Sequence, residues 1–167
     1  MKKTSIAITT AFLISALTSF AAQAGYSVGE KAVYEKDVVD FANMIGQRGV
    51  ISWEILSYDS TTDTYKIEER ESFLGQTGET VQVLEKKSSE LILGEEAGAR
   101  LAACTAQLRE TLRSEMGPIA TCRGSKDNNF EIFWFADVPF GFAHYEIYSE
   151  KTHVMTKYMM KSFVKKP

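Results

Sequence analysis

Between Phe130 and Ala136 the chain reads Phe-Glu-Ile-Phe-Trp-Phe-Ala, and this run limits the possible folds more than any other segment. Its aromatic and β-branched content predicts a strand. Alternate side chains of a strand point to opposite faces, so Phe130, Ile132 and Trp134 share one face, while Phe133 and Phe135 share the other with Glu131. A sheet with one wet face alternates apolar and polar residues. A strand that is greasy on both sides must be covered on both, by a helix, by the wall of a closed barrel, or by a ligand.

Two further strands follow, Phe142 to Ser149 and His153 to Val164, split off by the turn-forming Val138-Pro139-Phe140-Gly141 and Ser149-Glu150-Lys151-Thr152. The chain therefore ends in a meander. With Glu150-Lys151 at its tip, the last hairpin pairs Tyr148 with His153, Ile147 with Val154, Glu146 with Met155 and His144 with Lys157. One face then carries Ala143, Tyr145, Ile147, Val154, Thr156, Tyr158 and Met160, a core pattern. The other carries Phe142, His144, Glu146, Tyr148, His153, Met155, Lys157 and Met159, a mixture of aromatic, soft apolar and ionisable groups suited to an amphiphile. Methionine is flexible and polarisable and adapts to ligands without one fixed shape.

Upstream, Gly49 to Tyr58 and Tyr65 to Phe73 form a hairpin around Asp59-Ser60-Thr61-Thr62-Asp63, and Thr80 to Glu85 adds a strand entered through Gly75 and Gly78. Glu95 to Leu112 is the one helical stretch, with Ala97, Leu101, Cys104, Leu108 and Leu112 near one face at a spacing of three to four; residues 105–116 read equally as helix or strand, and the expectation is helix to about Cys104. A strand follows, ending near Gly117-Pro118. The expected fold is mainly β, a β-rich α+β domain built as a curved antiparallel sheet or half-barrel with one short helix.

The N-terminus reads as an export signal: Lys2 and Lys3, then an apolar stretch from Ile6 to Phe20 interrupted by hydroxyls, then the small-x-small site Ala22-Gln23-Ala24. The stretch is shorter than the ~20 residues a membrane-spanning helix needs, so no stable span is expected after cleavage behind Ala24. Residues 25–167 are then one periplasmic domain of 143 residues, a size that sustains a core. In that oxidising space the two cysteines, Cys104 and Cys122, have one possible pairing and are expected to form a disulfide. With no C-x-x-C and no nearby histidine, a redox or metal role is disfavoured. Without Lys2 and Lys3, the chain holds 17 basic against 22 acidic residues, which argues against a nucleic-acid partner.

No pattern announces a chemistry. His144 and Glu146 share a strand face, as an acid and base would, yet no nucleophile elbow, phosphate loop or zinc-protease motif accompanies them. Met155 and Met159 could offer thioethers to copper, but four residues of strand separate them by about 13 Å at ~3.3 Å per residue. Lys157, Lys161, Lys165 and Lys166 read as a solvated edge that discourages strand addition. No catalytic residue, metal ligand or cofactor is assigned.

Val28-Gly29-Glu30 with Tyr34, then Gly117-Pro118-Ile119-Ala120-Thr121-Cys122, then Trp134 with Val138-Pro139-Phe140-Gly141 resemble the pattern of small exported bacterial proteins of unknown function. The layout is more distantly similar to the lipoprotein-carrier and lipoprotein-receptor proteins LolA and LolB, in which a curved antiparallel sheet wraps a greasy cavity lidded by helices. That resemblance implies an amphiphile-binding role. The reading is a non-enzymatic periplasmic protein that binds an apolar or amphiphilic partner, a lipid or a hydrophobic polypeptide segment. Its lining is expected from Phe133, Trp134, Phe135, His144, Met155 and Met159. The alternative is an envelope structural or interaction protein, an inhibitor or assembly partner with no small-molecule ligand.

Overall fold

The computed structural model describes residues 25–125 and 130–166; the expected export signal, residues 1–24, lies outside them. The strands are β1 (Lys31–Asp40), β2 (Ile45–Asp59), β3 (Thr64–Phe73), β4 (Thr80–Lys87), β5 (Arg109–Ser114), β6 (Gly117–Ser125), β7 (Glu131–Phe135), β8 (Phe142–Ser149) and β9 (Val154–Val164), with one helix, α1 (Gly94–Ala102). All nine strands join one antiparallel sheet in the order β4-β3-β2-β1-β9-β8-β7-β6-β5, which does not close. The fold is the expected one: a curved, β-rich sheet with one short helix.

The strand order contains two meanders, β1 to β4 and β5 to β9, that meet where β1 pairs with β9. Strands β4 and β5 are consecutive in sequence but lie at opposite edges, so residues 88–108 must cross a face of the sheet. They cross the concave face. Ser88–Glu90 makes a 3-10 turn, Ile92 buries itself, and α1 follows with Ala97 fully buried beneath it. Arg100 lies over the Phe135 ring, its guanidinium carbon 4.7 Å from the centroid. Tyr26 ties this crossover down by donating its hydroxyl to the Ile92 carbonyl, and its own amide donates to Tyr65 Oη at 3.2 Å.

The turn Pro139–Gly141 closes under the crossover. Phe140 takes φ 64° and Gly141 φ 71°, a left-handed conformation that glycine accepts without cost and other residues resist. A Cβ on Gly141 would come 2.5 Å from Ile92 Cγ2 and 2.7 Å from the Ile92 carbonyl oxygen. Glycine is therefore required twice, by the backbone and by the neighbour.

Two details of the last hairpin differ from the sequence reading. Tyr148 pairs with Met155 and His144 with Met159, two residues away from the expected register. His153 takes φ 53° and ends a four-residue loop after Ser149 instead of opening the strand. The slip is even, so these side chains keep their faces. Phe142 does not. A bulge opposite Trp134 and Phe135 inserts Ala143, which turns Phe142 onto the concave face, where its ring stacks on Tyr34 at 5.2 Å. Tyr34, fully buried, donates its hydroxyl to the Phe142 carbonyl at 3.1 Å.

Cys104, just after α1, is disulfide-bonded to Cys122 on β6, 18 residues on. The bond fixes the end of the crossover to the sheet. Among the described residues no helix is long and apolar enough to cross a membrane.

Two stability measurements check this account. Replacing both cysteines by serine should lower the unfolding free energy by about 3 kcal/mol, as loop closure of this length predicts; reducing agent should do the same to the wild-type chain and nothing further to the variant. Gly141→Ala should cost roughly 3 kcal/mol, combining left-handed strain with overpacking, whereas Gly46→Ala, which meets open space, should cost far less.

Candidate functional site

The concave face is aromatic because the inward positions of five neighbouring strands are aromatic. Phe133 on β7 lies opposite Tyr145 on β8, and Tyr145 opposite Tyr158 on β9. These three rings stack as a cross-strand ladder, with centroids 4.4 and 5.5 Å apart and planes within 11°. Tyr34 on β1 and Trp53 on β2 continue it, Trp53 lying 5.6 Å from Tyr158 and from Phe140. Such pairs add stabilisation beyond their buried area.

Above this floor the side chains do not fill the space. A cleft of about 690 Å³ lies between the ladder and the crossover, bounded by Trp53, Ile67, Leu84, Phe133, Phe142, Tyr145 and Tyr158 from the sheet, by Phe140 from the turn before β8, and by Ser89, Leu91 and Ile92 from the crossover. Its size is that of sites for small organic ligands. The charged lining consists of Glu69, Glu90, Glu131 and Lys86. Both oxygens of Glu69 are held: Trp53 Nε1 donates to one at 2.7 Å and Gln82 Nε2 to the other at 2.6 Å. Lys86 and Glu90 pair with each other at 3.6 Å. Burial, reinforced by the Glu131 carboxylate beside it, pushes the Tyr145 hydroxyl well above its usual range. Burial likewise raises Tyr158, with Lys36 opposing and Glu71 and Glu69 adding to the effect.

The sequence-predicted lining residues are divided between different surroundings. Phe133 lines the cleft. Phe135 lies on the same face, stacked on Phe133 at 5.5 Å, but beneath Arg100 and fully buried. Trp134, His144, Met155 and Met159 face the other way, on the convex side, by strand alternation. The two-sided grease of β7 thus has two explanations. On the concave side it borders open space, and on the convex side the protein covers itself. There the Trp134 ring stacks on His144 at 4.2 Å, its Nε1 donates to Glu110 on β5 at 2.8 Å, and Arg123 lies over it. The β5–β6 hairpin reaches across this face as far as β9, where the Glu115 amide donates to the Lys161 carbonyl and the Phe163 amide contacts Met116 Sδ.

The sequence reading gave Trp53 as core or cavity wall but placed Tyr145 and Tyr158 on the core face of the last hairpin and did not single out Glu69 or Glu131 as charges of the site. Glu131 carried the available signal, since strand alternation already placed it with Phe133 and Phe135. Among the described residues no group of three His, Cys, Asp or Glu side chains is placed to hold a metal ion.

His144 is buried, and its Nε2 lies 3.2 Å from Glu146 Oε1 without the alignment of a hydrogen bond. Burial holds the imidazole below its ordinary 6.5 and Lys157 adds to this, while the carboxylates of Glu146 and Glu110 oppose it. The unfolded ring takes up a proton as pH falls through about 6.5 and the folded ring resists, so this residue's contribution to stability is complete above that pH and declines below it. The lowered carboxylates of Asp40, Asp59, Asp63, Glu68 and Glu90 act below their ordinary 3.8 and 4.5, outside this window. His144→Phe keeps a ring on Trp134 and removes the titration. Unfolding free energy measured from pH 7 to 5 should fall less steeply in that variant than in the wild type; equal slopes would show that burial does not hold the proton off.

No protein-family model matches this chain, and no curated protein matches it.

Proposed function

We propose that this is a non-enzymatic binding protein of the periplasm, exported by a signal cleaved after Ala24, that holds an apolar or amphiphilic ligand between the aromatic ladder and the crossover. The observation that carries the reading is the cleft itself. Six aromatic side chains, Trp53, Phe133, Phe140, Phe142, Tyr145 and Tyr158, border a space of about 690 Å³ that their own packing leaves open. Phe133, Phe140 and Phe142 are buried at its floor, whereas Trp53, Tyr145 and Tyr158 are only partly covered; a guest that covers their remaining apolar surface gains roughly 25 cal/mol per Å². The Cys104–Cys122 bond supports an oxidising compartment. The layout is also the one that the resemblance to LolA and LolB implies, a curved sheet with a lidded greasy face.

A second reading, an interaction protein of the envelope, is supported by a different surface. At the turn between β1 and β2, Phe41, Met44 and Ile45 are exposed, Met44 to 89%. An apolar tip of this kind suits contact with another polypeptide.

The two tryptophans permit a direct test, because Trp53 borders the cleft and Trp134 lies on the opposite face. In a Trp134→Phe background, a neutral naphthylamine dye should bind and quench Trp53 fluorescence. Replacing Tyr158 by alanine in that background should weaken binding about tenfold, near 1.4 kcal/mol, while Met159→Ala should leave it unchanged. Native mass spectrometry of protein purified from the periplasm, before and after organic extraction, should show a lipid-sized adduct that extraction removes. Absence of dye binding and of any adduct, with partner proteins co-purifying instead, would favour the second reading.

A further inference from the structure

The charges around the cleft do not balance. Its lining holds three carboxylates, Glu69, Glu90 and Glu131, against one lysine, Lys86, and Lys86 is already matched by Glu90. Lys36, on the same face of the sheet, is matched by Glu71. Glu69 is held by two neutral donors, the Trp53 indole and the Gln82 amide, and Glu131 stands beside the Tyr145 hydroxyl. Among the described residues neither Glu69 nor Glu131 forms a salt bridge. Two fixed negative charges therefore border the aromatic floor from opposite walls, Glu69 on β3 and Glu131 on β7, with five strands' spacing between them in the sheet order.

From this geometry we infer that the ligand of the cleft is a single-chain amphiphile with a cationic head, an amine or quaternary ammonium group, whose chain lies on the rings and whose charge meets Glu69 or Glu131. The inference rests on the proposed binding function and specifies the chemical class of the ligand. An anionic amphiphile, such as a fatty-acid carboxylate, would bring a third negative charge into the space, and a neutral one would leave Glu69 and Glu131 hydrogen-bonded at most to neutral groups, without a counter-charge. The volume of the cleft suits a ligand with one short chain. Electrostatic complementarity of this kind acts more on selectivity than on total affinity.

The test is titration calorimetry with three probes of equal chain length below their micellar concentrations: decyltrimethylammonium, decyl maltoside and decyl sulfate. The cationic probe should bind about tenfold more tightly than the neutral one, and the anionic probe more weakly than either. Glu131→Gln, which leaves the Trp53–Glu69 contact in place, should remove part of the preference, and Glu69→Gln with Glu131→Gln should bring the cationic and neutral probes to within about twofold. Because the whole chain is acidic, Glu79→Gln with Glu115→Gln, the same charge change at exposed positions, serves as the comparison and should leave the preference intact. Equal binding of cationic and neutral probes, or a preference that survives loss of Glu69 and Glu131 together, would overturn the inference while leaving the cleft a binding site. Failure of all three probes to bind would remove the binding function along with it.

Discussion

The pairing of β1 with β9 is the contact on which the rest of the structure depends. Lys31 lies opposite Val164 and Asp40 opposite Val154, so the first and last strands of the described chain run together through the middle of the sheet. Without that seam there are two separate meanders, each with an unpaired edge and half an aromatic face. With it, Tyr34 on β1 comes against Phe142 and Tyr158 from the far half of the chain, and the inner face becomes continuous from β3 to β7. The seam also determines which strands are outermost. It places β4 and β5 at opposite edges, and the chain between them has no route except across a face.

The cover over the cleft is thus a topological necessity as much as a local design. A segment obliged to span the sheet must bury something, and Ile92, Ala97 and Arg100 do so against Tyr26, Gly141 and Phe135. These contacts hold the far part of the crossover. Near β4 the same segment contributes Ser89, Glu90 and Leu91 to the cleft wall without filling the space beneath. The disulfide fixes the other end, so the crossover is anchored beyond the cleft, and the space lies between it and the sheet.

Local pattern carried most of the strand assignments. Phe142–Ser149 was legible to the residue, whereas residues 105–116 read equally as helix or strand because apolar residues at helical spacing continue to Leu112; the strand β5 forms there. Local pattern delimited neither β1 (Lys31–Asp40) nor β6, which begins at the Gly117-Pro118 pair read as a strand end, and it lacked single-residue backbone events. A left-handed His153 lengthened one loop, and one inserted residue at Ala143 reversed the direction of Phe142. Neither residue type announces such behaviour. The strand at Glu131–Phe135 was correctly read as apolar on two sides, but the sequence could not say which side the protein would cover, because the covering hairpin, β5–β6, is short of apolar residues and meets Trp134 through Glu110 and Arg123. The cleft's other wall, with Trp53 and Glu69, comes from residues more than sixty positions upstream, and only the strand order brings it near.

The seam also has a consequence for the time course of folding. Contacts between residues separated by more than a hundred positions close slowly, since the intervening chain must be brought together before the contact rewards it. Until β9 has been synthesised, β1 has only β2 beside it and the inner face lacks its central strands. Of the described strands β9 is the last in sequence, so the centre of the sheet forms only after both meanders have been made.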